Sequence, residues 1–127
     1  MPALSPFDYA VLRVVPQVER GEFVNAGVIL FCRPLRFLEV RMGLDVERLL
    51  ALAPETDLAS VQEQLDLFPR LCAGGAAAGP IGQMSQAERF HWLVSPRSTT
   101  VQVSPVHGGL CADPQTALDE LFDRLIG

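Results

Sequence analysis

Two apolar segments joined by a short charged connection constrain this chain more than any other feature. Residues 8–15 and 22–32 are rich in Val, Leu and Ile, and the connection between them contains Pro16 and Gly21. Two β-forming segments joined by so short a connection predict an antiparallel hairpin. Residues 35–42 continue the pattern after a turn, so the first third of the chain is predicted to form a three-stranded meander.

The rest of the sequence combines helical patterns with one further strand, predicted over residues 100–104. Each helix is predicted to begin at a residue whose side chain caps helix N-termini. These caps are Asp45, Thr56 or Asp57, Ser85 and Asp113. Pro69 is expected to kink or end the second helix near Phe68. Residues 73–83, which are rich in Gly and Ala, are predicted to form a flexible connector.

The alternation of side chains along the predicted strands separates an apolar face from a mixed one. The apolar face is predicted to hold Ala10, Leu12, Val14, Val24, Ala26, Val28, Leu30, Leu38 and Val40. Because a wholly apolar face must be covered, we expect the helices to pack on it. The predicted fold is therefore a single α+β domain over residues 1–127, with an antiparallel sheet of about four strands and helices packed on one face.

The opposite face of the predicted sheet carries Phe23, Ile29, Phe31 and Phe37. Four such side chains on one face of a small domain are not expected to stay in contact with water. The sequence leaves four alternatives for what covers this face: the last helix, the Gly/Ala connector, a second copy of the chain or another protein. These four residues are the predicted interface, with a homodimer or a different protein as the partner.

Composition limits the functional classes. The 127 residues are 49% hydrophobic and 20% charged, which is typical of a globular domain, and the net charge is −5. This acidic balance argues against a nucleic-acid partner, since sequence-independent binding of nucleic acid needs several Lys or Arg contacts with phosphates. The apolar runs are too short to cross a membrane. Three widely spaced cysteines and no signal-peptide pattern indicate reduced thiols and a cytoplasmic protein.

Seven polar residues form the predicted site for a ligand or partner. Arg, Ser, Thr, Asn and His side chains all donate hydrogen bonds to oxygen atoms, as anion binding requires. The seven residues are Arg13, Glu22, Asn25, Arg97, Ser98, Thr99 and His107. The alternative is structural: residues 98–99 start a strand, Asn25 satisfies a bulge at Gly27, and Arg13 pairs with Glu22 or Glu39. No cofactor and no metal site are predicted, since metal-ligand spacing is missing.

Other side-chain patterns receive structural interpretations. Cys111 follows His107 by four residues, but no third group is in place to orient a Cys–His pair, so the catalytic residues are unknown. Phe90, His91 and Trp92 are predicted to form an aromatic core patch with a polar edge.

Five segments together resemble a bacterial family known as DUF3037, a domain of unknown function. They are Arg13, residues 22–28, residues 89–93, residues 96–99 and residues 104–110, in this order along nearly the whole chain. Members of that family are often encoded beside a kinase-fold protein similar to the HipA toxin kinases. The resemblance therefore implies a kinase-fold protein as a partner and assigns no catalytic residue.

Two functions from different classes follow. The favoured one is a small cytosolic binding or interaction module that acts as an accessory partner of a HipA-like kinase-fold protein. The alternative is a small enzyme that acts on a phosphorylated or nucleotide-like substrate, with Arg13, Arg97 and His107 at its site. An enzyme requires these three side chains to converge in one concave pocket, whereas a module leaves them apart.

Overall fold

One antiparallel sheet organises the chain within residues 3–97 and 99–126, which the computed structural model describes. Its strands are β1 (Ser5–Val14), β2 (Val24–Cys32), β3 (Phe37–Met42), β4 (Val101–Val103) and β5 (His107–Cys111). The helices are α1 (Val46–Leu52), α2 (Leu58–Ala73), α3 (Gly79–Gly82), α4 (Gln86–Leu93) and α5 (Pro114–Leu125). The predicted α+β class and antiparallel sheet are confirmed.

The strand order is β3-β2-β1, and both β4 and β5 pair with the free side of β1. β4 runs beside the second half of β1, and β5 runs beside its first half. Ser104 bridges the break between them, because its amide donates to Val11 O and its hydroxyl accepts from Val11 N. The sequence did not predict β5, since a strand that begins His-Gly-Gly has little β-propensity of its own.

The four helices that the sequence predicted, α1, α2, α4 and α5, begin after capping side chains. The Asp45, Asp57 and Asp113 carboxylates accept from backbone N–H groups three residues later, at 3.0 to 3.4 Å. Ser85 and Glu88 form a complete capping box at the start of α4. The cap of α2 is Asp57, so the structure decides between the two candidates that the sequence left open.

A β-bulge in β2 changes which residues share a face. Leu12 lies opposite Gly27 and Arg13 lies opposite Asn25, so Ala26 is an extra residue in β2. From Gly27 onward the alternation of β2 is shifted by one residue. Ile29 and Phe31 therefore lie on the same face as Ala10, Leu12 and Val14, and the predicted placement of the second half of β2 is wrong.

Helices cover both faces of the sheet. One face packs against α2 and α4, in a core that contains Leu12, Ile29, Phe68 and Phe90. The other face packs against α5, whose Leu118 and Leu121 contact Val28, Leu30 and Cys32 in a second core. The prediction that the helices lie on one face is therefore corrected: α5 crosses the sheet on the opposite side.

The predicted interface does not form a continuous exposed surface. Ile29 is fully buried and Phe31 is 6% exposed, with its ring 5.2 Å from the ring of Phe90. Phe37 is half-buried beside the second core, and Phe23 is exposed. Ile29 and Phe31 therefore need no second chain to bury them, because the bulge places both side chains on the face that α4 covers.

The end of α2 and the segment that follows it are held by a buried arginine. α2 continues through Pro69 to Ala73, so of the two predicted effects of Pro69, a kink or an end near Phe68, the end is wrong. The Arg89 guanidinium donates to Leu71 O, Cys72 O and Met84 O at 2.8 to 3.1 Å. Residues 73–83, predicted as a flexible connector, contain a short 3₁₀ turn and α3, and Gly75 N donates to Gly82 O.

Candidate functional site

Arg13 and Asn25 are cross-strand neighbours at the C-terminal end of α5. Asn25 Nδ2 donates to Leu125 O at 3.3 Å, which satisfies a carbonyl that the end of the helix leaves without a donor. The Arg13 guanidinium carbon lies 4.2 Å from the centre of the Phe23 ring. Within the described residues, Arg13 Nε and Asn25 Oδ1 are buried without hydrogen-bond partners. Asn25 therefore has a structural role, but not the predicted one: its amide fastens α5 to the sheet and does not satisfy a bulge at Gly27.

A second candidate site lies between α2 and the chain after α4. We call it the Trp92 pocket; it measures about 400 Å³ and is lined by Gln64, Leu67, Trp92, Arg97, Thr99 and Val101. Its walls are mostly carbon, with the Arg97 guanidinium and the Gln64 amide as the main polar groups. Trp92 is 37% exposed, so the predicted aromatic core patch is correct for Phe90 and wrong for Trp92 and His91, which is also exposed.

Arg97 is held in a defined orientation at the rim of the Trp92 pocket. Its Nη2 donates to Trp92 O and Leu93 O at 3.0 and 3.3 Å, the last carbonyls of α4. Its guanidinium carbon lies 5.2 Å from the Trp92 ring centre and 5.7 Å from that of Phe68. Burial lowers the pKa of Arg97. Thr99 Oγ1 donates to Val101 O close by, and the predicted site residue Ser98 lies outside the described residues.

The remaining predicted site residues have other neighbours. The His107 ring lies 5.4 Å from that of Tyr9, its cross-strand partner, and His107 is exposed. Glu22 forms an ion pair with Arg20 in a shallow pocket beside Pro54. The structural alternative that pairs Arg13 with Glu22 or Glu39 is therefore wrong, since Arg13 takes part in no ion pair within the described residues.

The seven predicted site residues are thus divided among separate places. Arg13 and Asn25 meet beside α5, whereas Arg97 and Thr99 meet at the Trp92 pocket beside α2 and α4. His107 pairs with Tyr9, four residues before Arg13 on the same strand, or about 13 Å away along β1. Gln64, Leu67 and Trp92 were not predicted as site residues. A signal for Trp92 was its place in residues 89–93, one of the segments that resemble the family and one that ends shortly before Arg97.

The Cys72 and Cys111 thiols are not activated as nucleophiles. Burial raises the pKa of the Cys72 thiol to about 12, despite the opposing charge of Arg89. Burial, and then the neighbouring Cys32 thiol, raises the pKa of Cys111. Cys111 and His107 point from the same face of β5 but lie four residues apart, or about 13 Å along a strand. A thiolate–imidazole pair is therefore not formed.

The Cys72 pKa predicts a loss of stability in alkaline solution. Below pH 9.0 the folded and unfolded chains both keep the thiol proton. Between pH 9.0 and about 12 the unfolded chain loses this proton while the folded chain retains it, so the free energy of unfolding falls as pH rises. Urea denaturation at about pH 8 and about pH 10.5 measures this slope, and Cys72→Ala should make it shallower. If the free energy of unfolding falls equally with pH in the wild type and in Cys72→Ala, the loss of stability does not come from the Cys72 thiol.

The described part of the chain contains no group of metal ligands and no helix that could span a membrane. Over residues 3–97 and 99–126, no group of three His, Cys, Asp or Glu side chains is arranged to hold a metal ion. No helix in the same part of the chain has both the length and the apolar character needed to cross a membrane.

Comparison with known proteins gives one match. The family model described as a protein of unknown function (DUF3037) matches residues 9–126, which is nearly the whole chain and includes both candidate sites. No curated protein and no solved structure matches the chain. The resemblance to this family that the sequence indicated is thereby confirmed, and the chain belongs to the DUF3037 family.

Proposed function

We propose that this chain is a small binding module of the bacterial cytosol that docks a protein partner at the Trp92 pocket. The observation that carries the proposal is an apolar pocket of about 400 Å³ with an exposed Trp and an oriented Arg at its rim. Trp and Arg are the residue types that most often supply the largest share of binding energy in protein interfaces. The pocket therefore suits a protruding side chain of a partner.

The orientation of Arg97 defines the chemistry of that partner. Two carbonyls of α4 hold one guanidinium nitrogen, and the Trp92 and Phe68 rings flank the group. Its other N–H groups donate to no acceptor in the described ranges. Because the guanidinium is already oriented, little entropy is lost when it binds a carboxylate or a carbonyl. We therefore expect an apolar side chain next to an acidic one.

A HipA-like kinase-fold protein is the proposed partner, and the family resemblance stated above is the support for it. We favour the binding module over the alternative, which is a small enzyme acting on a phosphorylated or nucleotide-like substrate. That enzyme would need Arg13, Arg97 and His107 around one substrate, and these residues contact different parts of the fold. Their separation supports a binding role without a shared catalytic pocket.

Calorimetric titration of the purified kinase-fold protein tests the proposal. Trp92→Ala should weaken binding by about 30-fold, since removing a central aromatic side chain from an interface costs about 2 kcal/mol. Leu35→Ala is the matched control, because Leu35 is also an exposed large side chain but lies in the turn between β2 and β3. Its affinity should stay within about twofold of the wild type.

Two results would contradict this function. One is the absence of binding between the wild-type chain and the kinase-fold protein. The other is an equal loss of affinity in Trp92→Ala and Leu35→Ala, which would place the interface elsewhere. Circular dichroism of each variant establishes that the fold is retained before the affinities are compared.

A further inference from the structure

β3 is an open edge of the sheet, and its free hydrogen-bonding groups can be identified. Gly43 N donates to Ala26 O, and alternate residues back along the strand, Arg41 and Glu39, also face β2. Leu38, Val40 and Met42 consequently turn their N–H and C=O groups away from the sheet. These groups have no partner within the described residues, so β3 can accept another strand.

The charges on β3 select one register for such a strand. Glu39 and Arg41 lie on the α5 face of the sheet, and Glu39 has no ion-pair partner in the described part of the chain. An antiparallel copy of β3 centred on Val40 places each Glu39 opposite an Arg41. A copy centred on Glu39 or on Arg41 instead places like charges opposite each other, which is unfavourable.

We propose that two copies of this chain associate through β3, with their two-fold axis at Val40. The Val40 residues then form a hydrogen-bonded pair, and Leu38 pairs with Met42 of the other copy, as the outward groups require. The Glu39–Arg41 pairs occupy the intervening positions, where opposed side chains lie closest. Self-complementarity of one patch is what a two-fold interface demands. This surface is separate from the Trp92 pocket and does not depend on its function.

Arg41 is already held in place for this contact. Its Nη1 donates to Asp119 of α5 at 2.9 Å, and its guanidinium carbon lies 4.2 Å from the centre of the Phe122 ring. A guanidinium has five N–H donors, so Asp119 leaves donors available for a second carboxylate. The Arg41 side chain is still 43% exposed. Glu39 of the second copy would complete a carboxylate–guanidinium–carboxylate arrangement.

The surroundings of the two sheet edges also differ. A groove of about 420 Å³ runs beside β3, between Val40 and the Pro69, Cys72 and Ala73 positions of α2. Arg36, Glu39 and Gln86 also line this groove, so it offers open space with polar side chains beside the two-fold axis. The opposite edge is broken between β4 and β5 and contains Pro105. Breaks and prolines of this kind protect an edge from pairing, whereas β3 is regular and has neither.

Sedimentation at about 100 µM protein tests the pairing, since small interfaces often dissociate in the micromolar range. The wild type should sediment as a dimer. Val40→Pro should be monomeric, with a dissociation constant raised at least about 30-fold, because proline removes the central outward N–H. The folded monomer should tolerate this change, since that N–H makes no bond within the sheet. Thermal unfolding confirms that the variant is folded.

Charge reversal provides a second test that does not depend on the proline variant. Glu39→Arg and Arg41→Glu should each be monomeric alone, because each places like charges opposite each other. An equimolar mixture should form a heterodimer, since both cross-strand pairs are then of opposite charge. A monomeric wild type, a dimer that survives Val40→Pro, or a mixture that stays monomeric would overturn the proposal.

Discussion

Arg89→Met should lower the free energy of unfolding by about 3 kcal/mol or more. Arg89 is 9% exposed, and its guanidinium supplies donors to three backbone carbonyls. Two of these, Leu71 O and Cys72 O, lie at the C-terminal end of α2, where no helical N–H is available. A buried acceptor without a donor costs about 1–3 kcal/mol, so the loss of three bonds removes a large part of a small domain's stability.

Arg70→Met is the matched control for this substitution. Arg70 lies in the same last turn of α2 but is exposed and makes no side-chain hydrogen bond within the described residues. Its replacement should change the free energy of unfolding by less than about 0.5 kcal/mol. Urea denaturation of both variants measures the difference. Equal effects would show that the charge near the helix end matters, and that the three carbonyl contacts do not.

Leu12→Asp should abolish cooperative folding. Leu12 is fully buried in the middle of β1, in the core that α2 and α4 cover. An aspartate there is either an unpaired buried charge or a neutral acid without hydrogen-bond partners, and it also leaves part of the leucine volume empty. The buried acid and the empty volume each cost several kcal/mol. Together these costs approach the whole free energy of unfolding of a small domain. The expected result is a soluble fraction without a thermal unfolding transition, or no soluble protein.

Leu110→Asp is the matched control, because it makes the same substitution at an exposed leucine. Leu110 also lies on a strand that pairs with β1, but it is 65% exposed. Its replacement should leave the melting temperature within a few degrees of the wild type. A cooperatively melting Leu12→Asp protein would contradict the assignment of this face of β1 to the core.

Local patterns in the sequence were sufficient for the first three strands and for the helix starts. A strand followed by a turn and a second strand can hardly avoid pairing, because the short connection leaves no other partner within reach. A capping side chain acts on the first turn of its own helix, so Asp45, Ser85 and Asp113 could be recognised without tertiary information. Membership in the DUF3037 family also followed from segments and their order.

The faces of β2 could not be predicted in the same way. The sequence suggested a bulge at Gly27 only as an alternative, and the extra residue at Ala26 could not be placed from it, because residues 28–32 that follow are apolar on both faces of the strand. The shift moved Ile29 and Phe31 into the core and left Val28 and Leu30 for α5. The predicted interface of four aromatic and aliphatic residues depended on an unshifted strand, and it failed for that reason.

The neighbours of the predicted site residues could not be predicted from the sequence either. Arg13, Arg97 and His107 are similar in chemistry, but the sequence contains no information on which elements they will contact. The Trp92 pocket requires α2 to place Gln64 and Leu67 beside the chain between the end of α4 at Leu93 and the start of β4 at Val101. Local preference favoured an earlier end for α2, whereas burial of Leu71 and Cys72 and the Arg89 contacts stabilise the longer helix.

The sequence by itself determined the α+β class, the antiparallel meander, the helix caps and the family, because each depends on neighbours within a few residues or on the order of segments. Only the tertiary structure decided the bulge at Ala26, the side of the sheet that α5 covers, the role of Arg89 and the separation of the polar residues. These features depend on contacts between segments that lie far apart in the chain. Two free-energy costs determine these features: the cost of burying a polar group without a partner, and the cost of leaving an apolar face exposed to water. Both costs depend on the tertiary structure of the whole chain.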